Sequence, residues 1–257
     1  MSLFWLKQKS KKSERENTLF KACFPFIIIK KEVLEMPNYV KSKITGITKE
    51  QLMPYLSVYG SGEEYLDFEK IIPMPKELRI ESGSRLHRGM KIIKDNVLSV
   101  DFINNLSDEE KDYLNMGFKG LYNKLHYGFQ DWYDWRWANW GTKWNSCDSE
   151  FQDNAIFIST AWSMPFPVIK KLSELLKSEI TIIYADEDFG CNTGRFVFNN
   201  GEVLENYNPA ICSGDAFVCV YEAWDYEYEI SKNENGEHFI CFEGENYIIE
   251  QFTEKLS

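Results

Sequence analysis

"NAIFISTAWSMPFPVIKKLSELLKSEITIIYADED", residues 154–188, holds the pattern from which the fold is read. Apolar and β-branched residues crowd 154–162, as a buried strand requires. Pro165 and Pro167 then suit a turn and the start of a helix. Val168, Ile169, Leu172, Leu175 and Leu176 follow on one helical face, and 179–188 returns to a strand. "GCNTG" (190–194) is a tight turn, and "RFVFNN" (195–200) is its hairpin partner.

A second strand–helix–strand unit is read upstream. "YVKSKITGI" (39–47) alternates, with Val40, Ser42, Ile44 and Gly46 on one face and Lys41, Lys43 and Thr45 on the other. Thr48 caps a short helix in "KEQLMPYLSVYG", which contains Pro54, and "YLDFEKIIPMP" (65–75) reads as the second strand. Residues 76–106 show no clear pattern, and "ESGSRLHRGM" within them reads as loop.

Ser107 and Glu110 then form a capping box. Leu114, Phe118, Leu121, Leu125, Phe129 and Trp132 recur at helical spacing, so one long amphipathic helix delivers a tryptophan cluster to its end. Two βαβ halves around one antiparallel sheet make an α+β fold with the split βαβ pattern called ferredoxin-like, with a long helical insertion at about 107–140. The name describes topology, since no cysteine pattern fits an iron–sulfur cluster. Residues 201–257 are aromatic and alternating, with a hairpin at Gly236, and read as a β-rich C-terminal extension on the same domain.

The 257 residues carry a formal charge of −11, unevenly spread. Residues 1–35 hold a net +4, leaving −15 for 36–257. An acidic body repels phosphate backbones, which argues against a broad nucleic-acid-binding face. An acidic surface does suit a partner's basic groove. Six widely spaced cysteines without CxxC, together with three histidines, do not support a zinc site, and read as free, mostly buried thiols of a cytoplasmic protein.

Residues 1–35 differ from the rest. The apolar run "FPFIII" is short and is followed by Lys30 and Lys31, unlike a cleaved signal. No stretch reaches the roughly 18–20 apolar residues of a membrane span. "KKEV" (30–33) can be encoded by a purine-rich stretch of the kind that bacterial ribosomes bind, just ahead of Met36. The segment is thus either translated leader before a natural start at Met36 or a genuine basic tail.

"MPNYV", "LDFEKIIPMPKEL", "NWGTKWN", "FISTAWSMPFPVI" and "YADEDFGCNTG" occur in an order that resembles the plasmid- and phage-encoded YubB-like, or Api-like, proteins. The resemblance spans roughly 36–200; "NYV" departs from the family's more usual tryptophan-bearing start, and 201–257 match only loosely. It implies a mobile-element origin and a ferredoxin-like domain, and no catalytic residues.

Five of the eight tryptophans lie within 132–144. Gly141 interrupts the helix, so Trp140, Lys143 and Trp144 lead into a turn. Two indoles and a cation can hold a planar or anionic ligand, whereas at least three of the five rings are expected to fill the gap between helix and sheet. Asp186, Glu187, Asp188 and Asn192 offer hard oxygen donors, but the EF-hand template fails, with Cys191 where glycine is needed and Val197 where glutamate is needed. There is no P-loop, dinucleotide fingerprint or nucleophile–histidine pattern.

The expected function is therefore a cytoplasmic accessory binding protein of a phage or plasmid, without cofactor or metal, acting on a host protein or a small nucleotide-like ligand. Its expected contact residues are Trp140, Lys143, Trp144, Trp162, Asp186, Asp188 and Asn192. The alternative is a metal-dependent hydrolase or nucleotide-processing enzyme built on Asp186, Glu187 and Asp188.

Overall fold

The computed structural model describes residues 38–152 and 154–252; the leader-or-tail reading of residues 1–35 lies outside the described residues. The main sheet has six strands: β1 (Tyr39–Thr45), β4 (Cys147–Gln152), β5 (Ala155–Ala161), β6 (Glu179–Asp186), β7 (Gly194–Asn199) and β8 (Glu202–Tyr207). They lie in the order β4-β5-β1-β6-β7-β8, and every neighbouring pair is antiparallel.

Two split βαβ units interlock in this order. Strands β5 and β6 are joined by a helix, Phe166–Leu176, with β1 between them. Strands β1 and β4 are joined by everything from 46 to 146, with β5 between them. This is the ferredoxin-like arrangement. The fold class is as expected, but the second strand is β4, after the helical insertion and not before it.

The segment read as that strand, 65–75, instead yields only β3 (Glu64–Leu66), which pairs with β2 (Leu56–Val58) in a separate two-stranded sheet. Asp67 then accepts from the Glu69 amide and caps a short helix, α2 (Phe68–Ile71). Apolar residues buried at a helical turn and at a strand look alike over so few positions, and the local cap decides. The helix capped by Thr48 is likewise short, α1 (Lys49–Leu52), and Pro54 follows it in a 3₁₀ turn.

Alternation in β1 places its two faces as read. Ile44 sits opposite Ile156 on one side and Ile182 on the other, and Ile182 opposite Phe196. This row faces the main core, which the 46–146 crossover and the Phe166–Leu176 helix cover together. Lys41 and Lys43 point to the opposite face.

That opposite face is covered by a helix where strand had been expected. Residues 214–224, in "AFVCVYEAW" and just before it, form a helix capped by Ser213. Ala216, Phe217, Val218, Cys219, Val220 and Ala223 are all buried in it, so nearly the whole circumference is apolar and no helical period is visible. Glu222 pairs with Lys43 at 2.5 Å, both partly sheltered. The hairpin at Gly236 is present, in a three-stranded sheet of β9 (Ile230–Lys232), β10 (His238–Phe242) and β11 (Glu245–Ile248). The buried Asp215 carboxylate accepts from the Glu250, Gln251 and Phe252 amides and from the Tyr207 hydroxyl, tying the end of the described chain to this helix.

Within the crossover, "ESGSRLHRGM" is loop only over 81–83: Ser84–Asp95 forms α3, followed by α4 (Val100–Asn105). Helix α5 (Asp108–Tyr127) begins with the expected Ser107–Glu110 capping box. It does not run on to the tryptophans. Gly128, left-handed at φ 81°, ends it, and Asp131 caps a new helix, α6 (Trp132–Trp140). The buried positions of α5 are Leu114, Gly117, Gly120 and Asn123, while Phe118 and Leu125 are exposed. The remaining helices are α7 (Phe166–Leu176) and α8 (Gly214–Trp224).

Candidate functional site

The tryptophan-rich segment divides between two faces of α6. Trp135 and Trp140 belong to the main core, with Trp132 packed against it. Trp140 is 0% exposed, its indole Nε1–H donates to the Ile72 carbonyl at 2.9 Å, and its ring meets Phe68 and Trp135 edge-on. The expectation that Trp140 contacts a ligand is therefore corrected: it is a core anchor. Arg136 stands over both Trp132 and Trp140, at 5.0 and 4.6 Å from the ring centroids, with Glu69 4.0 Å away. Burial pulls its guanidinium below the usual arginine range, and the Glu69 carboxylate opposes that shift.

Tyr133 and Trp137, one turn apart on the other face, meet edge-on at 6.4 Å. Gly141 then reverses the chain at φ 75°, and a Cβ there would lie 2.8 Å from Pro167 Cδ. Thr142, fully buried, donates to the Ala161 carbonyl at 2.8 Å, and Ser163 donates to the Gly141 carbonyl. The end of α6 is thus stitched to the end of β5. This brings Trp162 against Trp137 (6.3 Å, stacked) and Trp144 (5.5 Å, tilted).

Lys143 lies inside this wall. Its Nζ is 4.6 Å from the Trp144 centroid, 4.9 Å from Trp162 and 5.6 Å from Tyr133. Cation–π attraction of this kind is worth about 0.5–1 kcal/mol per contact at exposed sites. The ammonium is held by rings of its own chain, which makes it a less open anion anchor than the sequence suggests.

The acidic turn joins the wall through Asn192. Its Nδ2 donates to the Trp162 carbonyl at 3.2 Å and to Asp186 Oδ2 at 3.1 Å. Asp186 Oδ1 accepts from the Asp188 amide (3.0 Å) and from Asn38 Nδ2 (3.3 Å). Trp162 itself is left-handed at φ 62°, with its amide bonded to the Asn38 carbonyl. Of the residues singled out in the sequence, Lys143, Trp144, Trp162, Asp186 and Asn192 come together, and Asp188 sits exposed at the rim of the turn. Tyr133 and Trp137 join them; their i, i+4 spacing opposite the core tryptophans was the available signal.

The three carboxylates differ in role. Asp186 is buried and its oxygens are already engaged by donors of the fold. Burial raises the Glu187 carboxyl above its ordinary range, and Asp186 adds to that. Among the described residues no group of three or more His, Cys, Asp or Glu side chains is placed to hold a metal. The described cysteines are free thiols, but of these only Cys219 is buried, and Cys212 and Cys241 are exposed, so the expected general burial is not found.

Asn192→Ala should show how far the turn supports the wall. It removes one donor from the buried Asp186 and one from the Trp162 carbonyl, a loss of about 1–3 kcal/mol. Urea unfolding reads the stability, and a red-shifted tryptophan emission reads the loosened wall. A change under about 0.5 kcal/mol with unshifted emission contradicts this account.

Fold and site together define an α+β domain of ferredoxin-like topology carrying an aromatic wall at the junction of its helical crossover and β5. Residues 139–240 match the family model described as "Ferredoxin-like domain in Api92-like protein". That match contains three of the five sequence blocks, from "NWGTKWN" to "YADEDFGCNTG"; it reaches beyond 200 and does not include 38–138. The chain is also similar to the crystal structure of protein api92 from Yersinia pseudotuberculosis, at 11% identity and a TM-score of 0.32, over 68% of this chain and 99% of that one. Among curated proteins none matches. No helix of the described residues is long and apolar enough to cross a membrane.

Proposed function

We propose that this is a non-enzymatic binding protein whose indole wall docks a basic segment of a host protein, and that it serves a phage or plasmid in the bacterial cytoplasm. The observation that carries the reading is the set Trp137, Trp144 and Trp162, half-buried and mutually packed beside an acidic turn. Such rings contribute large contact area at little entropic cost, and tryptophan is enriched among the residues that dominate binding energy. The net charge of −11 favours a basic partner and speeds its encounter.

An enclosed small-molecule site receives less support at this position. Two open depressions in the molecule, of about 550 and 780 Å³, are lined by other residues. A nucleotide would also have to draw Lys143 away from three rings. The hydrolase reading would need Asp186 to exchange its structural donors for a metal.

The test is capture by the full chain of a host protein from lysate, identified, purified and titrated back. Trp144→Ala with Trp162→Ala should weaken that complex about 30-fold or more, the loss expected of a binding hot spot. Raising salt from low to physiological should slow association more than it speeds dissociation. Equal affinity in the folded double variant overturns the wall as the contact surface. Saturable quenching of tryptophan emission by a nucleotide, with no protein captured, overturns the basic-partner reading.

A further inference from the structure

The 780 Å³ depression lies where α8 leads into β9, beside β10. Tyr221, Tyr226 and Tyr228 line it, half-buried, with the exposed Glu227 and Glu229 at its rim. No basic residue is among those that line it. The three rings are set by the fold. Asp225, left-handed at φ 55°, ends α8, and the Tyr226 amide bonds back to the Tyr221 carbonyl at 2.9 Å. The Tyr228 hydroxyl donates to Glu222 Oε1 at 2.6 Å, and the Tyr221 hydroxyl donates to the Cys241 carbonyl at 3.2 Å.

With the Tyr221 and Tyr228 hydroxyls tied down, those two rings sit 5.4 Å apart at 31°, and Tyr226 stands 6.4 Å from Tyr221 at 77° while stacking on Trp224 at 22°. The fold thus fixes three tyrosine rings at set angles along one open depression, and an aromatic lining of this kind attracts a cation. Burial pushes the Tyr221 and Tyr228 hydroxyls up from their ordinary range, with the Glu222 contact adding to the second, so the rings stay neutral and π-rich at ordinary pH. Among the described residues Glu227 and Glu229 have no hydrogen-bond or ion-pair partner, so two carboxylates stand unneutralised at the mouth. The chain uses the same chemistry internally, where Lys143 rests among three rings.

We propose that this depression is a binding site for an organic cation of the alkylammonium class, held by the faces of Tyr221, Tyr226 and Tyr228 and by the rim carboxylates Glu227 and Glu229. Aromatic surroundings accept the weakly hydrated, alkylated ammonium more readily than a compact metal ion, and the carboxylates supply the long-range attraction. The site is separate from the indole wall and does not depend on it.

The test uses the full chain with ring-labelled tyrosine, titrated at constant ionic strength with choline and with its neutral isostere 3,3-dimethyl-1-butanol. Choline should give saturable shifts in Tyr221, Tyr226 and Tyr228, and the alcohol none. Glu227→Gln with Glu229→Gln, both at exposed positions, should weaken choline binding about threefold to fivefold while leaving the unfolding midpoint unchanged. Trp144→Ala with Trp162→Ala should leave choline binding as it was, which separates this site from the wall. A peptide carrying one trimethyllysine distinguishes the sources: tighter binding than choline points to a partner's side chain, weaker binding to a free cation. Absence of saturation, equal shifts with the alcohol, or equal affinity in the double glutamine variant overturns the proposal.

Discussion

Trp140→Ala is expected to remove about 3–5 kcal/mol of stability, enough to leave a domain of ordinary stability mostly unfolded or close to it. The indole is fully buried and its ring edges meet Phe68 and Trp135. Truncation opens a cavity between the crossover and the sheet, and α6 cannot collapse into it, because Gly141 and Thr142 pin its end to β5. The Ile72 carbonyl loses its donor, and Arg136 loses one of the two rings that shelter it. Trp140→Phe should restore most of the volume and still lack the indole N–H, so it should fall about 1–2 kcal/mol short of the native chain. Equilibrium urea unfolding measures both. A cost under about 1 kcal/mol for Trp140→Ala would show that this ring is not the anchor of the crossover.

The second large effect is expected at Gly117. Helices α3 and α5 approach so closely that a Cβ on Gly117 would lie 2.4 Å from the Gly89 carbonyl carbon, and one on Gly89 would lie 1.9 Å from the Tyr113 carbonyl oxygen. Both obstacles are backbone, so no rotamer change relieves them. Gly117→Val should force the pair apart and cost about 3 kcal/mol, the upper end of overpacking penalties. It should be compared with Lys119→Ala on the exposed face of α5, expected within about 0.5 kcal/mol of the native chain. Hydrogen exchange should quicken in 84–127 first, since the helix pair can open before the sheet does. A native unfolding midpoint for Gly117→Val would mean that the helices do not touch at these glycines.

The same glycines show where sequence patterns mislead. Gly89 lies in "ESGSRLHRGM", a stretch that reads as loop, and glycine lowers helix propensity. In the fold it is the reason two helices can meet at backbone distance. Phe118 and Leu125 read as a core stripe by spacing, but the partner helix packs against Leu114, Gly117 and Gly120, so those larger side chains stay outside. Spacing marks which residues share a face; only the partner decides which face is used. In the same way, α8 is apolar almost all round, being pressed between the main sheet and the C-terminal sheet, and it lost the period that would have announced it.

By itself, the sequence determined the elements whose signals are local: the alternation of β1, the strand–helix–strand of 155–186, the Ser107–Glu110 cap and the turn at Gly236. These rest on backbone stereochemistry and on side chains a few residues apart, so they are written in neighbouring letters. It also placed the indoles, Lys143 and Asn192 on the list of residues worth following. The tertiary structure alone decided that the second strand of the ferredoxin-like sheet comes after the crossover, that Trp140 turns inward while Trp144 turns toward Trp162, and that Asn192 ties the acidic turn to the wall. Those outcomes depend on contacts between residues that chain order separates by tens of positions, and on which of several apolar faces finds the closest fit.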